Sequence, residues 1–297
     1  MRVTQQLLFG NFMRDINKNR GEMGKIQSDL SSGRKVRMPS HGPVEFQRSR
    51  IIEENIRKEE QYQENASTGL RHARMAQGAL DETLDRLIDV KQILVQGATG
   101  TSGEDVRETM ALEIGGIRDT LVSTLNIRSG ERYLFAGTNS NTRPFEADAA
   151  GPGGVQNNSN NNNPKVLVGD GVELDISING EDLRNTDAGD LFEILDDIIT
   201  SLENNDTDAL NAMLPDADTA IEHVSNLAAR IGTNINRMEF VFEQYESSKI
   251  SQKAEISNLV DTDYAQAFSD LQRNQIAYES AMAVHSTMFS NTLLDYL

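Results

Sequence analysis

Residues 268–296, FSDLQRNQIAYESAMAVHSTMFSNTLLDY, read as one long helix with a narrow apolar row. The row takes Phe268, Leu271, Gln275, Tyr278, Met282, His285, Phe289, Leu293 and Tyr296. Its steps alternate between three and four, close to the period of a coiled-coil seam. A matching row runs along the other end of the chain through Phe9, Phe12, Ile16, Asn19, Met23, Ile26 and Leu30. A stripe this narrow finds nothing to bury against in an isolated helix. It needs a partner helix from the same chain or from another copy. The two ends are therefore expected to meet each other, or neighbouring molecules, along their length. That pattern predicts a structural protein that assembles.

Between the ends the periodicity changes twice. Gly33 suits a helix stop, since it enters the left-handed region without steric cost. Pro43 suits the first turn of the next helix, where its missing N–H has no partner to lose. From Ile52 to Leu94 a long helical row follows, closed by Gly97, Gly100 and Gly103, and another fits 104–128. The run QNNSNNNN (156–163) is low in complexity and predicts a mobile loop. Val166 to Ile178, turning at Gly169-Asp170-Gly171, carries a hairpin signature with period-two alternation. Helix then resumes near Asp190, and a long row from Ala217 to Tyr245 turns polar at Ser248, Gln252 and Glu255, which predicts a joint. The expected fold is mainly α with a small β insert: an elongated antiparallel bundle or coiled coil built by both ends around a β-rich middle. Three regions are expected: terminal coiled-coil segments (1–42 and 256–297) disordered in the monomer, a helical rod (43–137 and 188–255), and an outer β domain (138–187).

Composition narrows the function. Hydrophobic residues make up 37% of the 297, aromatics 5%, with no Trp and no Cys, so the core is thin and the chain has neither disulfides nor thiolate metal sites. The net charge of −18 argues against nucleic acid as a partner. Residues 1–75 nevertheless hold 14 Lys or Arg against 9 Asp or Glu, while 181–222 hold 13 acids and a single base, Arg184. Electrostatic pairing within or between copies is one reading; ordinary solvated faces are the other. No stretch reaches the length of a membrane span, and the start has no signal-peptide core.

Catalytic patterns are missing from the sequence. Its four histidines, His41, His72, His223 and His285, are not spaced to share a metal, and His285 falls in the terminal seam. No nucleophile elbow or phosphate-binding glycine pattern occurs. Asp190, Glu193, Asp196 and Asp197 share part of a helix surface, which reads as a solvated acidic face rather than a cation site. No enzyme and no cofactor is expected.

Particular residues carry a family resemblance. Leu30-Ser31-Ser32-Gly33-Arg34, followed by Pro39 and Pro43, resembles the loop between the first two helices of bacterial flagellins. Arg230-Ile231-Gly232-Thr233 with Asn236-Arg237, then Ser257 to Ala265 (SNLVDTDYA), and the closing Leu293-Leu294 are similar to the family's C-terminal stretches. Where the family's loop carries two acids before its proline, this chain has His41 and Gly42. Tyr133-Leu134-Phe135-Ala136-Gly137-Thr138, then Pro144-Phe145, resembles an element of the family's hook–filament junction members. The resemblance implies export through the flagellar type III apparatus, aided by a chaperone on the C-terminal helix. It implies an extracellular homo-oligomeric ring between a second hook-associated junction protein and flagellin, without membrane insertion. The assembly interface is expected at Phe9, Phe12, Ile16, Met23, Ile26, Leu30, Phe268, Leu271, Tyr278, Met282, Phe289, Leu293 and Leu294. The loop between helices is expected at Ser31, Ser32, Gly33, Pro39 and Pro43. The rival readings are flagellin itself and a cytosolic coiled-coil scaffold.

Overall fold

The computed structural model describes residues 2–99, 103–148 and 150–294, and within them side chains from Leu7 to Thr287 apart from Leu8. The chain is mainly α, with a few small antiparallel sheets in the middle. Helix α1 is Arg2–Ser32, α2 Pro43–Ala98 and α3 Glu104–Leu125. Then come β1 (Arg128–Ser129), β2 (Arg132–Tyr133), β3 (Phe145–Ala147), β4 (Val155–Asn157), β5 (Lys165–Gly169) and β6 (Val172–Asp175). A short helix α4 (Gly180–Arg184) leads to β7 (Asn185–Thr186) and β8 (Gly189–Asp190). Helices α5 (Leu191–Glu203), α6 (Thr207–Ala212), α7 (Leu214–Val260) and α8 (Tyr264–Leu294) complete the chain. Two compact units result, one of Met1–Arg57 with Ser248–Leu297 and a second of Lys58–Ser247.

In the second unit α2 and α7 lie antiparallel. Gln63 bonds Glu246, Arg74 bonds Glu239 and Lys91 pairs with Asp218, so α7 descends as α2 ascends. These exposed pairs contribute little each. The register is fixed instead by the apolar rows. Ala66, Ala73, Ala76, Leu80 and Leu94 on α2 are buried with Ala217, Val224, Ile231 and Met238 on α7, and the alanines let the helices approach closely.

The four sheets are separate two-stranded antiparallel ladders. An isolated two-stranded ladder is marginal in water. Here Phe145, Val155, Val168, Leu174 and Ile178 join the same buried cluster as Leu80, Leu94 and Met238. The β segments therefore fold as part of the second unit rather than standing apart from its helices as a compact unit of their own. The asparagine run is likewise ordered, contrary to the reading from composition. Asn157 Nδ2 donates to Glu181 (2.6 Å), Asn160 Nδ2 to Thr138 Oγ1 (2.7 Å), and Asn163 Oδ1 accepts from Asn179 N and Nδ2 (both 2.9 Å). Short amides that suit a mobile loop also suit a latch, and composition does not reveal which partners they meet.

The polar stretch at Ser248, Gln252 and Glu255 does not break α7, which runs unbroken to Val260. The boundary between the two units nonetheless falls at Ser247 and Ser248, where the apolar row ends.

Candidate functional site

Helices α1 and α8 pack antiparallel in the first unit. Phe12 stacks on His285 with ring centroids 4.1 Å apart, and Phe9 tilts against the same ring at 5.7 Å. At the other end Thr262 N donates to Gly33 O (2.8 Å), and its hydroxyl to Asp29 O (3.3 Å). On α1 the predicted row faces this seam: Ile16 is buried, and Phe12, Met23, Ile26 and Leu30 are half-buried. On α8, Leu271, Tyr278 and His285 are half-buried. The contact is thin. Asn19 Oδ1 lies out of solvent without a hydrogen-bond partner, a cost of roughly 1–3 kcal/mol within the seam.

The remaining predicted residues divide. Phe268 and Met282 stand 56% and 47% exposed, beside the seam rather than in it. Ile276 (65%) and Val284 (57%), which the row omits, point to yet another side. On α1, Phe9 is 44% exposed, and Leu7 and Met13 are also open. The side chains of Phe289, Leu293 and Leu294 lie outside the described residues. One helix covers one side of another, yet apolar residues occur around most of α8. A helix of that kind is suited to burial on several sides. The signal was present in the sequence as Ile276 and Val284, which a single coiled-coil row passes over.

The ends are tied together at a joint built from the loop motifs. Lys35 N and Val36 N both donate to Val260 O (2.8 and 3.3 Å), and Lys35 Nζ donates to Asn258 O (3.0 Å). Arg37 bonds Asp29 and Ser28 across the same turn (3.0 and 2.6 Å), while Val36 and Val260 are buried. Ser32 Oγ accepts from Arg34 N (3.3 Å), and Ser31 Oγ donates to Ser28 O (3.2 Å). Pro39 opens a single 3-10 turn, and Pro43 occupies the first turn of α2. Asp263 Oδ1 accepts from Gln266 N (3.1 Å) at the start of α8. Gly33 has φ +71°, and a Cβ there would come within 2.9 Å of the Tyr264 hydroxyl. Gly33→Ala is expected to destabilise the first unit by about 1–2 kcal/mol. Tyr264→Phe should recover the steric part alone. Hydrogen exchange of the amides around 33 and 262 measures both.

The YLFAGT element is a plug rather than a surface. Leu134, Phe135 and Ala136 are buried, as is Phe145, whose ring tilts on Phe192 at 5.6 Å. Asn126 holds the backbone of Phe145 from both sides, accepting from its N (3.1 Å) and donating to its O (2.8 Å). Gly137 has φ +70°, and a Cβ there would strike Asn160. Asn160 Oδ1 in turn accepts from Thr138 N (2.9 Å). Asn160→Ala removes both bonds to Thr138 and is expected to cost about 1–3 kcal/mol by urea unfolding.

Asp190, Glu193 and Asp197 border one shallow pocket, but the acids of the quartet are engaged differently. Asp190 caps α5 and pairs with buried Arg184, and Asp196 meets Arg118 (3.0 Å). Among the described residues no three His, Asp or Glu side chains gather as a metal site would require, and no helix is long and apolar enough to cross a membrane.

Both ends of the chain match sequence models of bacterial flagellin: its N-terminal helical region over residues 3–140 and its C-terminal helical region over 214–297. The chain belongs to the flagellin family. It is 23% identical to flagellar hook-associated protein 3 of Salmonella typhimurium, an alignment covering 97% of each chain. It is 25% identical to flagellin of Bacillus subtilis, over 96% of this chain and 95% of that one. The flagellar junction protein FlgL from Legionella pneumophila has the same fold. That likeness has a TM-score of 0.62 at 14% identity, and covers 72% of this chain and 99% of the other. The joint residues, Ser31 to Pro43 and Ser257 to Ala265, fall inside the two flagellin matches.

Proposed function

We propose that this flagellin-family chain is a structural subunit of the hook–filament junction of the bacterial flagellum, forming an adaptor ring through terminal helices that order on assembly. The observation that carries the mechanism is the α1–α8 pair: a thin seam, with large apolar side chains exposed on the other sides of α8. Neighbouring copies would cover those sides, so folding of the ends and docking become one event. Head-to-tail contacts between copies close into a ring. In this reading a second hook-associated protein lies on one side of the ring and flagellin on the other. A chaperone shields the C-terminal helix before the chain leaves the cell unfolded through the type III apparatus. Full-length alignment is shared by hook-associated protein 3 and by flagellin, and support for the junction over the filament comes from the YLFAGT and Pro144-Phe145 element.

Immunogold labelling with a tag in an exposed loop, such as at Asp170, tests this. Label confined to one band at the hook–filament boundary is expected. Label along the whole filament would make the chain a flagellin, and absence from sheared, purified flagella would remove it from the organelle.

A further inference from the structure

A cleft of about 360 Å³ opens in the second unit between α2, the YLFAGT element and the β5–β6 ladder. Its polar lining includes Thr68, His72, Arg132, Thr138, Ser140 and Lys165, and no carboxylate lines it. That is unexpected in a chain of net charge −18. Lys165 has only a loose, exposed contact with Glu173 at 3.9 Å. His72 is held below its ordinary pKa, first by burial and then by Arg71 and Arg132. It is therefore neutral near pH 7, and the positive potential of the cleft comes from Arg132 and Lys165. The volume suits a compact group rather than a large ligand.

The same unit carries a complementary knob. The tight turn between β7 and β8 presents Asp187 at its tip, exposed. Thr186 Oγ1 stiffens the turn, donating to Gly189 O (2.8 Å) and accepting from Ala188 N (3.2 Å). The Arg184–Asp190 pair, almost fully buried, anchors its base. Glu193 and Asp197, both exposed, lie beside it on α5. The turn belongs to the segment 181–222, with 13 acids and one base, and that base is already engaged with Asp190. A rigid projection with a carboxylate at its tip loses little conformational freedom on docking.

We propose that the Arg132–Lys165 cleft of one copy receives the Asp187 turn of a second copy, as a lateral contact in the ring. Two different patches on one chain make a heterologous contact, the kind that propagates around a ring. The inference rests on the junction reading, and charge complementarity sets the register of the contact.

The test uses the full chain in the flagellated cell. Arg132→Glu with Lys165→Glu is expected to lower the amount retained in purified flagella by at least about tenfold, and adding Asp187→Arg to restore much of it. Because the chain has no cysteine, Ser140→Cys in the cleft with Ala188→Cys beside Asp187 in the turn reports the contact directly and leaves the docking charges in place. Reducible oligomers should form in assembled flagella with the pair and not with either single variant. The docking is overturned if the reversed cleft is retained like the unaltered chain, or if the cysteine pair forms no oligomers. Should the reversed variant melt below the unaltered chain, the cysteine pair decides alone. If the unaltered chain is itself absent from the hook–filament boundary, both the junction reading and this contact fail; if it is present, a negative result removes the contact only.

Discussion

Truncation after Met288 is expected to lower incorporation into the flagellum by more than about a hundredfold, while the second unit stays folded. The deletion takes away residues 289–297, among them Phe289, Leu293 and Leu294, three large apolar residues at the end of α8. Burying each is worth roughly 1.5–3 kcal/mol. Even two thirds of the lowest sum, about 3 kcal/mol, exceeds the roughly 2.7 kcal/mol that corresponds to a hundredfold change. The second unit, Lys58–Ser247, contains none of these residues and has its own buried core. Its urea midpoint should therefore match that of the full chain. Immunoblots of purified flagella and of the culture medium give the distribution. Full incorporation of the truncated chain would show that these residues are not part of the interface.

Phe135→Ala has the largest expected effect on stability. Phe135 is fully buried within the YLFAGT plug, in one cluster with Phe145 and Phe192. Replacing such a ring costs about 3–5 kcal/mol, from lost burial and from the cavity left behind. Against a typical domain stability of about 5–15 kcal/mol, that is a large fraction. The urea midpoint should fall with little change in slope. Tyr133 provides the contrast. It is half-buried with Arg128 over its ring at 4.8 Å, so Tyr133→Ala should cost distinctly less. Equal losses at both positions would mean that the element is not a plug.

The long helices were legible in the sequence because their apolar rows persist over many turns. Gly33 and Pro43 mark ends for a local reason, and the observed elements stop and start beside them. The hairpin at Val166–Ile178 was legible for the same kind of reason, through alternation and a Gly-Asp-Gly turn. What was not legible depends on contacts distant in sequence. The asparagine run gives no hint that Asn163 meets Asn179 or that Asn160 latches Thr138. The seam of α8 was half read. Leu271, Tyr278 and His285 face α1, but Phe268 and Met282 sit one heptad position aside. A row of period 3.5 specifies that a helix needs a neighbour without specifying which side that neighbour takes, or how many are needed. The cation-lined cleft could not be read at all, because α2, β2 and β5 each contribute one of its charged or titratable side chains.

The central claim is that the paired ends are weakly held in the free chain and become fixed only when other molecules cover them. Hydrogen exchange compared between the monomer and purified flagella tests it most directly. In the monomer, amides of residues 1–40 and 257–297 should exchange orders of magnitude faster than those of α2 and α7 in the second unit. In the flagellum they should become as slow. Equal, strong protection of ends and second unit in the free chain would contradict the account.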